Sequence, residues 1–145
     1  MGRIEESVEI KCPVDKVFAF TTVAENWPKW HKEVLEAEQT SQGEVGVGTT
    51  SRLKTNMMGQ TSNVTAKVTE YVPDKKYAKV LTSKGVVIDN QLIFDSVEGG
   101  TKFTEVYDVK VSGLAKLLSS TIDSEIRKDL KQNLINVKGL LEVET

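Results

Sequence analysis

The segment ENWPKWHKEV, residues 25–34, carries both tryptophans of the chain, Trp27 and Trp30, and its only histidine, His31. A histidine can act as a general base. Nucleophilic catalysis would also need an activated Ser or Cys and an orienting acid. No G-x-S-x-G is present, and the single cysteine, Cys12, stands in KCPVDK without a recognisable catalytic context. Cys12 therefore reads as a small, partly buried strand-end residue, and His31 as a bystander rather than a base.

A second group with chemical potential lies in VVIDNQLIFDS (residues 86–96) and TKFTEVYDVKV (residues 101–111), joined by VEGG. Both stretches alternate with period two, and the Gly-rich link is a hairpin signal. One face carries Val86, Ile88, Asn90, Leu92 and Phe94; the same parity on the partner gives Phe103, Glu105, Tyr107, Val109 and Val111. If Phe94 pairs with Phe103, Leu92 faces Glu105 and Asn90 faces Tyr107. Asn90, Glu105 and Tyr107 then form a polar island on an apolar face, with Asn90 and Glu105 as diagonal neighbours. A buried carboxylate is costly without partners. Either the trio fixes the polar end of a ligand, or Glu105 acts as a general base, or the three satisfy one another structurally. Glu105 and Tyr107 are the candidates for acid–base chemistry. The opposite face of the last strand, Lys102, Thr104, Asp108 and Lys110, reads as solvated.

A third feature is NMMGQ, residues 56–60, where Met57 and Met58 stand together at the tip of an expected hairpin. Flexible thioethers suit an adaptable lid over an apolar mouth. The alternative is one Met packed on the core and one exposed.

These groups must be positioned by elements that the hydropathy period reveals. RIEESVEI predicts a strand. CPVDKVFAFTT changes to spacings of three and four, a short helix opened by Pro13. Pro28 limits the next segment to about one helical turn on each side. From residue 34 the period is two: strands in VLEAEQT, TTSRLKT, SNVTAKVTEYV, YAKVLTS and the hairpin above, with turns at SQGEVGVG, PDKK and KG. The faces of Val64 and Ala66 are left open, because Glu70 and Lys79 could share their face. After Gly113, Leu114, Leu118, Ile122, Ile126, Leu130, Leu134, Val137 and Leu141 recur every three or four residues. Residues 114–143 thus predict one long amphipathic helix, ~45 Å at 1.5 Å per residue. Such a stripe must be covered, and the sheet is the available cover.

Composition narrows the function classes. The 145 residues suit one domain, spanning 1–145, with its own core. Net charge is −2, with 19 Lys plus Arg and 21 Asp plus Glu interspersed, so no field for nucleic acid arises. One Cys and one His argue against thiolate or His-cluster metal sites, and no D-x-D-x-D spacing or phosphate-binding Gly loop appears. No cofactor is expected. No apolar run approaches the ~20 residues of a membrane helix, and MGRIEESVEI lacks signal-peptide character. A cytoplasmic location is the default expectation.

Strand, two short helices, six strands and a long helix, together with VEIKCPVDKVFAF, NWPKWHKEVLEAE and GGTKFTEVYDVKV, resemble the START-related, polyketide cyclase/dehydrase-like superfamily. The resemblance covers nearly the whole chain. It implies an α+β helix-grip fold, a curved, mostly antiparallel sheet of about seven strands around the C-terminal helix. It also implies a cavity between sheet and helix for a small hydrophobic or amphipathic molecule. Trp30 matches a tryptophan that packs between the short helices and the sheet in such proteins, as core or cavity wall. Trp27 either borders the mouth or lies on the surface. Expected ligand contacts are Trp30, Leu53, Met57, Val64, Ala66, Ile88, Asn90, Leu92, Glu105, Tyr107, Leu118 and Ile122. Two other readings stand beside binding. One is a cyclase or dehydratase, which needs two or more convergent acid/base groups in the pocket. The other is an interaction module or homodimer, which needs a filled interior and an exposed apolar patch.

Overall fold

Alternating hydropathy yields seven strands, and each change of period yields a helix. The structure, a computed structural model, describes residues 2–143. Strand β1 (Arg3–Ile10) turns Ile4 and Ile10 into the interior. Pro13 then sits at the cap of α1 (Val14–Thr21), in extended geometry, rather than inside its first turn. The Thr21 and Thr22 hydroxyls close this short helix by donating to the Val17 and Phe18 carbonyls, each at 2.8 Å. A 3-10 turn (Ala24–Asn26) leads into α2 (Trp27–Trp30), where Pro28 occupies the first turn and its missing N–H leaves nothing unpaired.

The remaining strands are β2 (Val34–Gln39), β3 (Thr50–Met57), β4 (Gln60–Val72), β5 (Lys76–Ser83), β6 (Val86–Val97) and β7 (Gly100–Val111). They form one antiparallel sheet in the order β1-β7-β6-β5-β4-β3-β2. The register of β6 and β7 is the expected one: Phe94 opposes Phe103, Leu92 opposes Glu105 and Asn90 opposes Tyr107. A bulge between Val68 and Glu70 in β4 settles the open faces. It turns Glu70 out to an ion pair with Lys76 at 3.2 Å, while Lys79, opposite Val68, stays inside. Gly100 opens β7 against the end of β1. A Cβ there would lie 2.1 Å from the Ile10 carbonyl oxygen, so only glycine fits. Beside it, buried Cys12 offers its carbonyl to the Thr101 hydroxyl at 2.8 Å.

The terminal helix differs from the single element expected. Gly113–Leu118 is a 3-10 turn, and α3 runs over Ser119–Val143. Leu114 and Leu117 are 84% and 82% exposed, so the packed stripe begins only at Ile122. From there Ile122, Ile126, Leu130, Leu134, Val137 and Leu141 are buried against the inner face of the sheet. The outer face of β7 also departs from a uniformly solvated surface. Thr104 is buried, with Val106 beside it, and stands between Ser7 on β1 and Ile93 on β6.

The Leu130 side chain is fully buried whereas Ile135 is 62% exposed. Leu130→Ala should therefore lower stability by about 2–5 kcal/mol, and Ile135→Ala by no more than about 0.5 kcal/mol. Urea unfolding followed by circular dichroism measures both. Equal losses would mean that α3 is not seated by this face.

Candidate functional site

The inner face of the sheet has two halves. Toward α1 and α2 it is filled: Phe18 meets Phe94 edge to face, Phe94 tilts against Phe103, and Trp30 packs on Phe103 with ring centroids 5.8 Å apart. Toward the β3–β4 and β5–β6 turns it is hollow, with a cavity of about 580 Å³ between sheet and helix. Leu53, Val64, Leu81, Ile88, Ile122 and Ile126 make apolar walls. Met57 and Met58, Lys84, Ala115 and Leu118 stand around its outer part. Met57 packs on the core and Met58 is 45% exposed, with φ of 54° at the turn. The methionine pair is thus split as the second expectation had it, yet both reach the cavity.

The boundary between the halves is a polar row set by strand register. Lys79 on β5, Asn90 on β6 and Tyr107 on β7 stand side by side across the sheet. All three line the cavity. Lys79 Nζ donates to Asn90 Oδ1 at 2.8 Å, and the Asn90 amide donates to Glu105 Oε2 at 3.2 Å and to the Val106 carbonyl at 3.1 Å. Lys79 Nζ also lies 4.4 Å from the Trp27 ring centroid and 5.1 Å from that of Tyr77.

Beside this row lies an ion triad, of which His31 and Glu33 also line the cavity. His31 Nδ1 is 3.1 Å from Glu33 Oε2, and His31 Nε2 is 3.4 Å from Glu105 Oε2, an ion-pair contact rather than an aligned hydrogen bond. Glu33 Oε1 accepts from Asn133 Nδ2 at 2.9 Å, and Asn133 Oδ1 accepts from the Lys32 amide at 3.0 Å, so α3 is tied into the cluster. Burial disfavours the imidazolium, but Glu105 and Glu33 together outweigh it and raise His31 to about 9. Burial works against the Glu33 carboxylate too, and the His31 charge with the Asn133 bond overcomes it, holding Glu33 at about 2. For Lys79 burial wins over Glu105 and Glu33 and brings the ammonium down to about 8. Burial, then the Glu105 charge, pushes the Tyr107 phenol well above its usual value.

Of the expected contacts, Leu53, Met57, Val64, Ile88, Asn90, Tyr107, Leu118 and Ile122 line the cavity. Trp30, Ala66, Leu92 and Glu105 do not. Leu92 and Glu105 belong to the next row, under the point where helix and sheet close on each other, and Trp30 is core behind them. Ala66 is buried one row from Val64, behind the wall. Two further expectations are corrected. Trp27 is neither surface nor mouth: it is 2% exposed, donates Nε1 to the Thr21 carbonyl at 3.0 Å and walls the cavity. His31 is no bystander but the centre of the triad. Glu33 and Asn133 escaped the sequence reading, and Lys79 entered it only as a residue that could share the face of Val64 and Ala66. Lys79 left a signal, as a lysine on the apolar parity of Tyr77 and Leu81. Asn133 left one on the buried stripe of α3 beside Leu130 and Leu134. Glu33, in a connection between α2 and β2, left none. Among the described residues no three His, Cys, Asp or Glu are arranged to share a metal ion, and no helix is long and apolar enough to cross a membrane.

A family model described as "Polyketide cyclase / dehydrase and lipid transport" matches residues 1–142. Solved structures of the same shape include the protein TTHA0849 from Thermus thermophilus, with TM-score 0.83, 14% identity and 99% of each chain covered. The Zhui aromatase/cyclase from Streptomyces sp. R1128 superposes with TM-score 0.83 at 14% identity, covering 97% of this chain and 93% of that one. A START superfamily protein from Mycobacterium smegmatis gives 0.76 at 16% identity over 100% of both chains. At these identities the likeness establishes the fold. No curated protein sequence matches the chain.

Because His31 is the sole histidine, its imidazole signals in NMR are unambiguous. Their titration midpoint should lie near 9; a midpoint at or below the ordinary 6.5 would show the triad is not formed. Stability should respond with a definite sign. Below pH 6.5 the imidazolium is present in both states and its two contacts count fully. Between 6.5 and about 9 the unfolded chain loses the proton while the folded chain keeps it, so stability falls. Lys79 acts oppositely between about 8 and 10.5, where the folded chain releases its proton first. The decline should thus be steepest between pH 6.5 and 8, read as the urea midpoint against pH. On the acid side, stability from Glu33 should be lost as pH falls from 4.5 toward 2.

Proposed function

The chain belongs to the polyketide cyclase/dehydrase and lipid transport family, and from that premise we propose that it binds a small amphipathic molecule in the cavity between the sheet and α3. The observation that carries this reading is the hollow half of the inner face. A space of about 580 Å³ is sized for a small organic ligand. Its apolar walls suit a hydrocarbon or ring body, and the Lys79–Asn90–Tyr107 row at the closed end suits one polar terminus. An interaction module would instead need a filled interior.

A second reading, proton transfer on the bound molecule, draws on one observation. His31, Glu33 and Tyr107 share the wall of the same cavity, so more than one acid/base group faces a single space. The His31 imidazolium is already engaged by two carboxylates, which favours binding over catalysis.

Ile88 stands on the cavity wall, half-buried and without the dense packing of the core. N-phenyl-1-naphthylamine, a neutral apolar dye, should become fluorescent on binding the wild-type protein. Ile88→Trp should weaken that binding about tenfold, roughly 1.4 kcal/mol, while near-UV circular dichroism stays native. Unchanged affinity in a folded Ile88→Trp protein would place the dye elsewhere and remove support for the cavity.

A further inference from the structure

Lys79 is a buried lysine, 3% exposed, and one of the residues that line the cavity. Buried lysines are almost always paired with a carboxylate. Here no carboxylate oxygen lies within 4.0 Å of Nζ among the described residues, although Glu33 and Glu105 are both close enough to be felt. The reason is the triad: both carboxylates are drawn onto His31. What remains around Lys79 is one amide oxygen, Asn90 Oδ1, and the faces of Trp27 and Tyr77. The Asn90 bond fixes the direction of the amine, while the ligand space lies against it. Burial lowers the proton affinity of this amine, against the pull of Glu105 and Glu33. A lysine that is desolvated and held in one direction is the arrangement in which an amine becomes a nucleophile.

We propose that Lys79 is a carbonyl-capturing residue, and that the cavity accepts apolar aldehydes or ketones that condense with its amine to an imine. The proposal rests on the ligand-binding reading above. The step balances without an oxidant or reductant. The Nζ ammonium first releases one proton, and its freed lone pair attacks the carbonyl carbon as the C=O electron pair moves to oxygen. The oxygen takes up that proton, and the nitrogen then sheds a further N–H proton to give a neutral carbinolamine. A second proton on that oxygen lets the C–O bond break. Water leaves, the nitrogen lone pair closes the C=N bond, and the product is a protonated imine. The net change is that an ammonium and a carbonyl compound give an iminium ion and water, with the charge conserved. Tyr107, next to Asn90 in the same row, lines the space the carbonyl compound would occupy. Glu33 and Asp129 also line this space, and the Glu33 charge supports a cation on Nζ before and after condensation alike.

The test is reductive trapping of the whole protein with decanal and sodium cyanoborohydride, followed by peptide mass mapping. The expected result is one dominant alkylated site, Lys79, labelled at least tenfold faster than any other amine, with labelling suppressed by N-phenyl-1-naphthylamine. In a folded Lys79→Arg protein that dominant adduct should vanish and leave only the slow spread over surface amines. If the dye binds the wild-type protein but Lys79 is labelled no faster than the exposed lysines, carbonyl capture is wrong and the cavity reading stands. If the wild-type protein does not bind the dye, the cavity reading fails and carbonyl capture fails with it. The wild-type map decides the matter even if the arginine variant does not fold.

Discussion

A buried histidine between two carboxylates is the constraint around which this fold is arranged. Either carboxylate alone in the interior would be expensive, and the pair without a cation would be worse. His31 makes both tolerable, and each partner then recruits hydrogen bonds of its own. Glu105 takes Asn90, which takes Lys79; Glu33 takes Asn133, which takes the Lys32 amide. The result is a continuous polar chain from β5 through β6 and β7, across the connection after α2, and into α3. Apolar packing makes these elements adhere. The polar chain specifies where they meet, because a shift of one residue in register would strand a charge.

The same chain partitions the interior. On one side the aromatic stack of Phe18, Phe94, Phe103 and Trp30 leaves no room. On the other, side chains of similar hydrophobicity stand apart around a void. The difference lies less in composition than in the reach of α3. The helix is close to the sheet from Leu130 onward, where fully buried residues recur, and its first turns are carried over the open end by the 3-10 segment. Function is proposed for the side where packing is incomplete, and its polar terminus is the outer surface of the very network that closes the core.

Most of the architecture was legible because it rests on period. Alternation marked the strands, and the VEGG turn with Phe94 and Phe103 set the last hairpin in register. The family resemblance rested on the same patterns. The site was half legible. Asn90 and Tyr107 showed themselves as polar residues on an apolar parity, a signature that Lys79 shares. His31 and Glu33 could not be placed, since irregular backbone between Trp30 and Val34 carries no period to say where their side chains point. Glu105 was correctly set in the interior but on the wrong side of the boundary, because strand parity gives the face and not the depth. The 3-10 turn was hidden for a related reason: Leu114 and Leu118 keep helical spacing whether or not anything packs on them.

The β4 bulge has a mechanical consequence. By stepping the strand over between Val68 and Glu70, it lets a straight ladder serve two regimes. Well before the step, Gln60, Ser62 and Val64 line a wall that encloses empty volume, and after it Tyr71 joins the aromatic packing of Phe18 and Tyr77. Hydrostatic pressure favours states that eliminate voids, so its work would fall on one end of the molecule and spare the other. The protein is in this sense a stiff block with a compliant cup, and the bulge is the seam between them.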